Sequence, residues 1–327
     1  MRPRRGGGIV INGADVVRPG RDDGSAAAGE LGRIADPGGS ALALGPRTGA
    51  ALGVLGVTGL VMFLWPLFVD PAGVTAHDTD APLLFVAVLP MLIAVVLAEI
   101  SEGGIDTKAI AMLGVLSAIG AALRPVGAGV AGIETVFFML ILAGRVYGPG
   151  FGFVLGNTTM FASAILTGGV GPWLPFQMLA AGWVGLGAGV LPRRLTGRWE
   201  VALLAAYGAL CAYAYGFLLN MWFWPWAIGA DTEFSFVAGD AVVSNLHRFL
   251  LFTVASSTLG WDTGRAITNV VATVVLGPAV LAVLRRAHRR AAFEAPVRFE
   301  PVDLRPDAKG SPAPAGADSG DPARGPA

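Results

Sequence analysis

The sequence predicts an all-α membrane protein with about eight transmembrane helices. Three observations carry this. Apolar side chains make up 54% of the chain and charged ones only 14%, whereas a soluble domain carries about 25% charged residues. The charges crowd the two ends and a few short gaps between apolar runs. Those runs have the length that a hydrocarbon core of about 30 Å asks of a helix, near 20 residues.

In chain order, residues 1–48 are rich in Gly, Arg, Asp and Ala without an apolar period and read as a disordered tail. The first apolar run starts too far in for a secretory signal. Residues 49–69 and 83–99 are the first two candidate spans and fill a segment 49–106. Span 107–124 opens at Lys108 and closes at Arg124, as a helix with snorkelling ends does. A short span, 133–147, and a longer one, 150–168, follow. Span 173–191 is entered through "GPWLPFQ"; the pattern puts Pro172 and Pro175 in the first turn, where a missing N–H costs little. The last two are 200–226 and 266–285. Between them, "NLHRFLLF" places Leu246, Phe249 and Leu250 at helical spacing. The long segment 227–265 therefore reads as a lid or binding loop with a short amphipathic helix. Residues 292–327 form a second tail, disordered by composition.

Arginines orient the spans through the positive-inside rule. Arg2 to Arg47 precede the first span, Arg145 ends the fourth, Arg193, Arg194 and Arg198 follow the sixth, and Arg285, Arg286, Arg289 and Arg290 close the eighth. An even span count puts all of these in the cytoplasm, with both termini, and implies a plasma-membrane protein. Asp70, Asp78, Asp80, Asp231, Glu233, Asp240 and Asp262 fall on the outer side.

Small residues recur at four-residue spacing in three consecutive ridges, the pattern that lets membrane helices approach closely. They are Gly114, Ala118 and Ala122; Gly148, Gly152 and Gly156; and Ala181, Gly185 and Gly189. Polar groups at membrane depth are costly and point to function. Glu134, Gln177, Asn220, Asp262 and Arg265 all fall toward the outer face, with Trp222 and Trp224 close by. Together they are the candidate substrate-binding residues of a mostly apolar pocket. Structural readings stand beside that one. The tryptophans also suit an interfacial belt, Asn220 suits a bridge between helices, Arg265 suits a pair with Asp262, and Asn157 suits helix packing.

No constellation for catalysis is present. The chain has no G-x-x-x-x-G-K-[ST], no H-E-x-x-H and no G-x-S-x-G. Its single cysteine, Cys211, excludes an internal disulfide, and three scattered histidines make a zinc site improbable. A formal net charge of zero argues against nucleic acid as partner. The expectation is a non-enzyme that itself binds no cofactor and no metal, in contact with the lipid bilayer.

Several pieces from residue 107 onward resemble the substrate-binding S component of energy-coupling factor (ECF) vitamin transporters. "KAIAMLGVLSAIGAALR" is similar to that family's alanine-rich first helix. "ETVFFMLILAGRVYGPGFGFVLGNTTMFASAILTGG" resembles its second and third helices, joined by a G-x-x-x-G-P-x-x-G turn that runs here from Gly144 to Gly152. "VGPWLPFQMLAAGWVGLGAGVLP" resembles the fourth. The resemblance implies a six-helix module over 107–291, with the two helices of 49–106 as an addition. It also implies a substrate-capture subunit that binds a vitamin from the outer face, under the loop 125–133. Its implied partners are a transmembrane coupling subunit and two ABC-type ATPases, which use the ATP. The ridge Gly114, Ala118 and Ala122 stands where the family docks its coupling subunit, with glycine for one alanine. The branch most resembled is the CbrT-like one, whose named substrate is cobalamin. A standalone secondary carrier or an intramembrane scaffold is the alternative.

Overall fold

The computed structural model describes residues 46–68, 107–126, 130, 132–228 and 232–291. Among them the chain is helical, without a strand. Helix α1 (Pro46–Phe63) is followed by a 3-10 turn (Trp65–Leu67), α2 (Thr107–Leu123), α3 (Val136–Tyr147), α4 (Pro149–Thr167), α5 (Leu174–Val190) and α6 (Arg198–Ala227). Then come α7 (Val242–Thr253), a π-helical stretch (Val254–Asp262), α8 (Thr263–Val275) and α9 (Gly277–Ala291). The expected span 83–99, the acidic residues Asp70, Asp78 and Asp80, the tail up to residue 45 and the tail 292–327 lie outside the described residues.

Helix α3 is the axis of the bundle. Every residue from Val136 to Arg145 is buried, enclosed by α2, α4, α5, α6, α8 and α9. Its 12 residues rise about 18 Å, well short of a bilayer core. A helix wrapped by protein on all sides need not match the lipid thickness. The tightest pairing is α4 against α5, and two of the sequence ridges make it. A Cβ on Gly152 would run into the Gly185 carbonyl oxygen, one on Gly185 into that of Gly152, and one on Gly156 into Ala181. Gly144 of α3 reaches the same Gly185 carbonyl. Backbone meets backbone here, which only residues without a side chain permit.

By length and composition, α4 and α6 are each long and apolar enough to cross a membrane, and the pair Val242–Val275 and Gly277–Arg290, bent by 66°, is either a broken third span or a re-entrant pair. Helices α2, α3 and α5 and the apolar part of α1 (Leu52–Phe63) are shorter. The expected single span 266–285 is therefore corrected. The helical path begins at Val242 and breaks after Leu276, where Gly277 and Pro278 stand. Proline has no N–H for the bond across the break, and its ring collides with the preceding turn. The segment 227–265, expected as a long loop, is largely helical: its described non-helical residues are 228 and 232–241, after which helix resumes. Pro175 does sit in the first turn of α5, while Pro172 precedes the helix, after the left-handed Gly168 that ends α4.

Helix α1 belongs to the same packing. Phe63 contacts the rings of Phe176 at 5.1 Å and Trp183 at 5.7 Å. Trp65 stacks on Trp226 at 5.0 Å and donates from its indole N–H to the Trp222 carbonyl at 3.0 Å. Large apolar side chains such as Val57, Val115, Ile165, Leu166, Leu210 and Val275 point outward. In a membrane, lipid covers such a surface at no cost.

Candidate functional site

Two polar clusters cap opposite ends of α3. At its N-terminal end stands Arg265 of α8. Its Nε donates to Glu134 Oε2 at 2.9 Å and Nη2 to Oε1 at 3.3 Å. Nη1 donates to Asp262 Oδ1 at 2.9 Å and to the Ala212 carbonyl at 3.3 Å. The guanidinium lies over the rings of Tyr215 (5.0 Å) and Phe137 (5.7 Å). Asp262 is 1% exposed and takes a further bond from the Ser257 hydroxyl at 2.9 Å. A buried carboxylate needs such partners, because an unpaired charge in a low-dielectric interior is costly.

The π-helical stretch builds this geometry. It turns Asp262 inward against Gly216 of α6, where a side chain on residue 216 would overlap the carboxylate. Such insertions recur at functional sites. Gly132, with φ of +77°, brings the end of loop 125–133 onto the Trp261 carbonyl. Glu134 follows directly, and the Thr135 hydroxyl donates to the Leu123 carbonyl at 2.8 Å, which ties the loop's two ends together.

Gln177 joins from α5. Its Oε1 accepts from Arg124 Nη2 at 2.8 Å, and Arg124 Nη1 reaches the Ser163 hydroxyl at 3.4 Å. The Thr135–Leu123 bond joins the residue after Glu134 to the residue before Arg124, which brings the two networks side by side. Of the residues singled out in the sequence, the fold thus gathers Glu134, Asp262 and Arg265 directly and Gln177 through Arg124. Arg124, Tyr215, Ser257 and Ser163 were not singled out as site residues. Arg124 carried one signal, a charge at the tip of an apolar helix, which snorkelling also explains.

The other three candidates have different partners. Asn220 Nδ2 donates to the Thr253 hydroxyl at 2.7 Å, so it bridges α6 and α7. Trp222 is 2% exposed and stacks flat on Phe176, centroids 4.3 Å apart. Trp224 is 1% exposed and donates to the Phe234 carbonyl at 2.7 Å. Both indoles are buried among other aromatic rings, Trp222 against Phe176 and Trp226, and Trp224 against Phe236 and Phe249. Trp224 and Phe249 of α7 instead hold the 232–241 loop. Asn245 fixes that loop too, donating to the Val237 carbonyl at 2.8 Å and accepting its N–H at 3.0 Å. Arg248 bridges Asp240 at 2.7 Å. That bond, with the Ala241 amide, holds the Asp240 carboxyl below the usual range. Asn157 is fully buried, but its Nδ2 donates within its own helix, to the Phe153 carbonyl at 2.8 Å.

The ridge Gly114, Ala118 and Ala122 lies on the open face of α2. All three residues are exposed, and no atom comes within 4 Å of a Cβ placed on Gly114. Leu113, Leu116, Ser117, Gly120 and Ala121 occupy the buried face.

At the far end of α3, Glu200 of α6 receives Arg145 Nε at 2.7 Å and Arg285 Nη2 at 2.6 and 2.8 Å. Among the described residues no group of three His, Cys, Asp or Glu could hold a metal ion.

Residues 108–284, more than half of the chain, match the family model described as ECF transporter, substrate-specific component. No curated protein and no solved structure matches the chain.

Proposed function

Because this chain belongs to the substrate-specific components of ECF transporters, we propose that the polar cluster around Arg265 is where it captures its substrate. A member of this family is a membrane-embedded transporter subunit rather than an enzyme. It works with the T and ATPase subunits of an ECF module and takes a small-molecule substrate. The proposal adds the place, the side and the kind of substrate.

One observation carries it: Arg124, Glu134, Gln177, Asp262 and Arg265 come together from four separate stretches, at one end of the bundle, beside loop 125–133. Glu134 and Gln177 are only partly buried and offer polar atoms to a ligand, whereas Asp262 anchors Arg265 from behind. Asn220, Trp222 and Trp224 stiffen the wall formed by α6 and α7. The positive-inside rule puts this end outside, since the arginine-rich end is opposite. Both termini are then cytoplasmic. The substrate is a vitamin or related micronutrient, with cobalamin the first to test because of the branch resemblance. The exposed small-residue ridge of α2 supports docking of the coupling subunit there, since a flat, unoccupied ridge lets a second helix approach closely.

The test is ligand binding by the purified full chain without nucleotide. Calorimetry with cobalamin and a panel of other vitamins is expected to find one that binds at micromolar concentration or tighter. Uptake in cells is expected only when the module's other subunits are co-expressed. A chain that binds none of them yet supports uptake alone is the standalone carrier instead.

A further inference from the structure

The two arginines at the N-terminal end of α3 differ in what they leave for a ligand. Arg265 is spent. Its guanidinium gives two bonds to Glu134, one to Asp262 and one to the Ala212 carbonyl. Two carboxylates flank that one cation, so the local balance is negative and a further anion brought there meets like charge. Arg124 stands differently. Its two bonds both go to uncharged oxygens, Gln177 Oε1 at 2.8 Å and the Ser163 hydroxyl at 3.4 Å. Among the described residues, no carboxylate lies within ion-pair distance of it. The loop that follows it, residues 125–133, reads "PVGAGVAGI" and contains no charged residue.

Arg124 is not placed as a snorkelling side chain is. Such a residue carries its charge away from the bundle into water. Arg124 crosses instead to α4 and α5, and the hydroxyl it reaches on α4 belongs to a residue with no exposed surface, Ser163. The guanidinium is thus held at the junction of α2, α4 and α5, while the residue as a whole is only half-buried.

The surroundings of this cation are rich in donors and poor in acceptors. A guanidinium has donors only, and more of them than two bonds use. Because it can only donate, it fixes the Gln177 amide with Oε1 toward itself. The Nε2 donors of that amide then point away from Arg124, on a residue that is partly exposed. An ionised carboxylate or phosphate group offers acceptors, and the guanidinium fork takes two of its oxygens at once. A cationic group is repelled at this place, and a neutral one forgoes the charge. Resting on the capture reading above, we infer that the substrate carries an oxyanion end, a carboxylate or a phosphate, and that Arg124 receives it with the Gln177 amide N–H beside it. Glu134 sets the direction. The Thr135–Leu123 bond at 2.8 Å holds it alongside, and its charge repels an anion bound the wrong way round.

The experiment is calorimetry on the purified full chain with matched acids and neutral mates. The pairs are nicotinate and nicotinamide, pantothenate and panthenol, biotin and biotin methyl ester, and riboflavin 5′-phosphate and riboflavin. Thiamine is the cationic arm. At least one acid is expected to bind, about tenfold or more tighter than its mate, as the loss of a charged hydrogen bond implies. The pair that shows the gap tells carboxylate from phosphate. Arg124→Gln is expected to bring that acid down to the affinity of its mate and to leave the mate unchanged. It strips no described carboxylate of its partner, so the unfolding temperature stays close to the parent's. Arg286→Gln, at an exposed arginine of the opposite end, is expected to keep the gap. A neutral mate that binds as tightly as its acid overturns the inference, and so does thiamine binding where every acid fails. A gap that survives Arg124→Gln, or closes as far in Arg286→Gln, overturns it too. Each of these results leaves the capture reading standing. If no acid, no mate, no thiamine and no cobalamin binds, the capture reading itself falls and takes the inference with it.

Discussion

Replacing Arg265 with methionine tests the ionic cluster most directly. The substitution keeps much of the side chain's volume and removes its charge. It leaves Asp262, 1% exposed, held by the Ser257 hydroxyl and without a cation beside it. It also leaves Glu134 without its two bonds at 2.9 and 3.3 Å. Removing one partner of a buried pair costs about 3–5 kcal/mol, because the other charge stays behind in a poor solvent. At about 2–4 °C per kcal/mol for a unit of this size, Arg265→Met is expected to lower the unfolding temperature by roughly 6–20 °C. The assay is thermal unfolding of the detergent-purified full chain, read by tryptophan fluorescence. Arg248→Met is the comparison. Its bridge to Asp240 is of similar length, 2.7 Å, but exposed to solvent, so a far smaller change is expected.

A further variant identifies the cause of the loss. Arg265→Met combined with Asp262→Asn and Glu134→Gln removes all three charges together. If the uncompensated carboxylates cause the damage, this triple variant is more stable than Arg265→Met alone. If it is equally unstable, the loss comes from the packing of Arg265 against Tyr215 and Phe137, and the electrostatic account is wrong. An Arg265→Met chain as stable as Arg248→Met refutes the whole argument.

Ala118→Leu is expected to leave the unfolding temperature within a degree or so of the parent and to abolish copurification with the coupling subunit, because residue 118 faces outward; unchanged copurification removes the ridge as docking site. Gly185→Leu is expected to cost more than the roughly 1–3 kcal/mol typical of overpacking, since the groups it meets are the Gly152 backbone and not movable side chains; a fully stable variant contradicts the α4–α5 contact. Asp240, in the loop outside the spanning helices, has its carboxyl lowered by Arg248 and the Ala241 amide. Its bridge therefore stabilises the folded loop above the ordinary carboxylate value and fades as pH falls through the lower folded value. Hydrogen exchange of residues 232–241 is expected to quicken over that acid window in the parent and to show no such step in Asp240→Asn; the same step in both assigns it to another group.

Part of this architecture is legible in the sequence because it depends on local spacing. Gly152, Gly156, Ala181 and Gly185 stand four residues apart, which suffices to place them on one face, and backbone contact follows from their size. The break after Leu276 was also written there, as Gly277-Pro278 inside an apolar run. Counting hydropathy passed over it because proline interrupts hydrogen bonding without changing apolarity. The burial of Trp222 and Trp224 was not legible. Their positions near a helix end fit an interfacial belt equally well, and it is Phe176 and Phe249, arriving from other helices, that enclose them. The π-helical stretch leaves no periodic mark either, since its signature is a shift in backbone bonding.

The long-range pairings follow a rule that the sequence hides. Arg124 meets Gln177 and Arg265 meets Glu134 at one end of α3, while Arg145 and Arg285 meet Glu200 at the other. Each partner lies more than fifty residues away along the chain. Read singly, Arg124, Arg145 and Arg285 are positive-inside or snorkelling residues, and Glu200 is a loop-end acid. What separates pairing from snorkelling is where neighbouring helices end. Helix α3 is short and enclosed, so its ends lie inside the bundle, and the charges brought there find partners in protein. The same shortness makes the two ends unequal. One cluster has two carboxylates for Arg265 and polar atoms open toward loop 125–133, which suits a small ligand. The other has, among the described residues that line its cavity, one carboxylate and four arginines, so the acid-rich and the arginine-rich cluster stand at opposite ends of one helix.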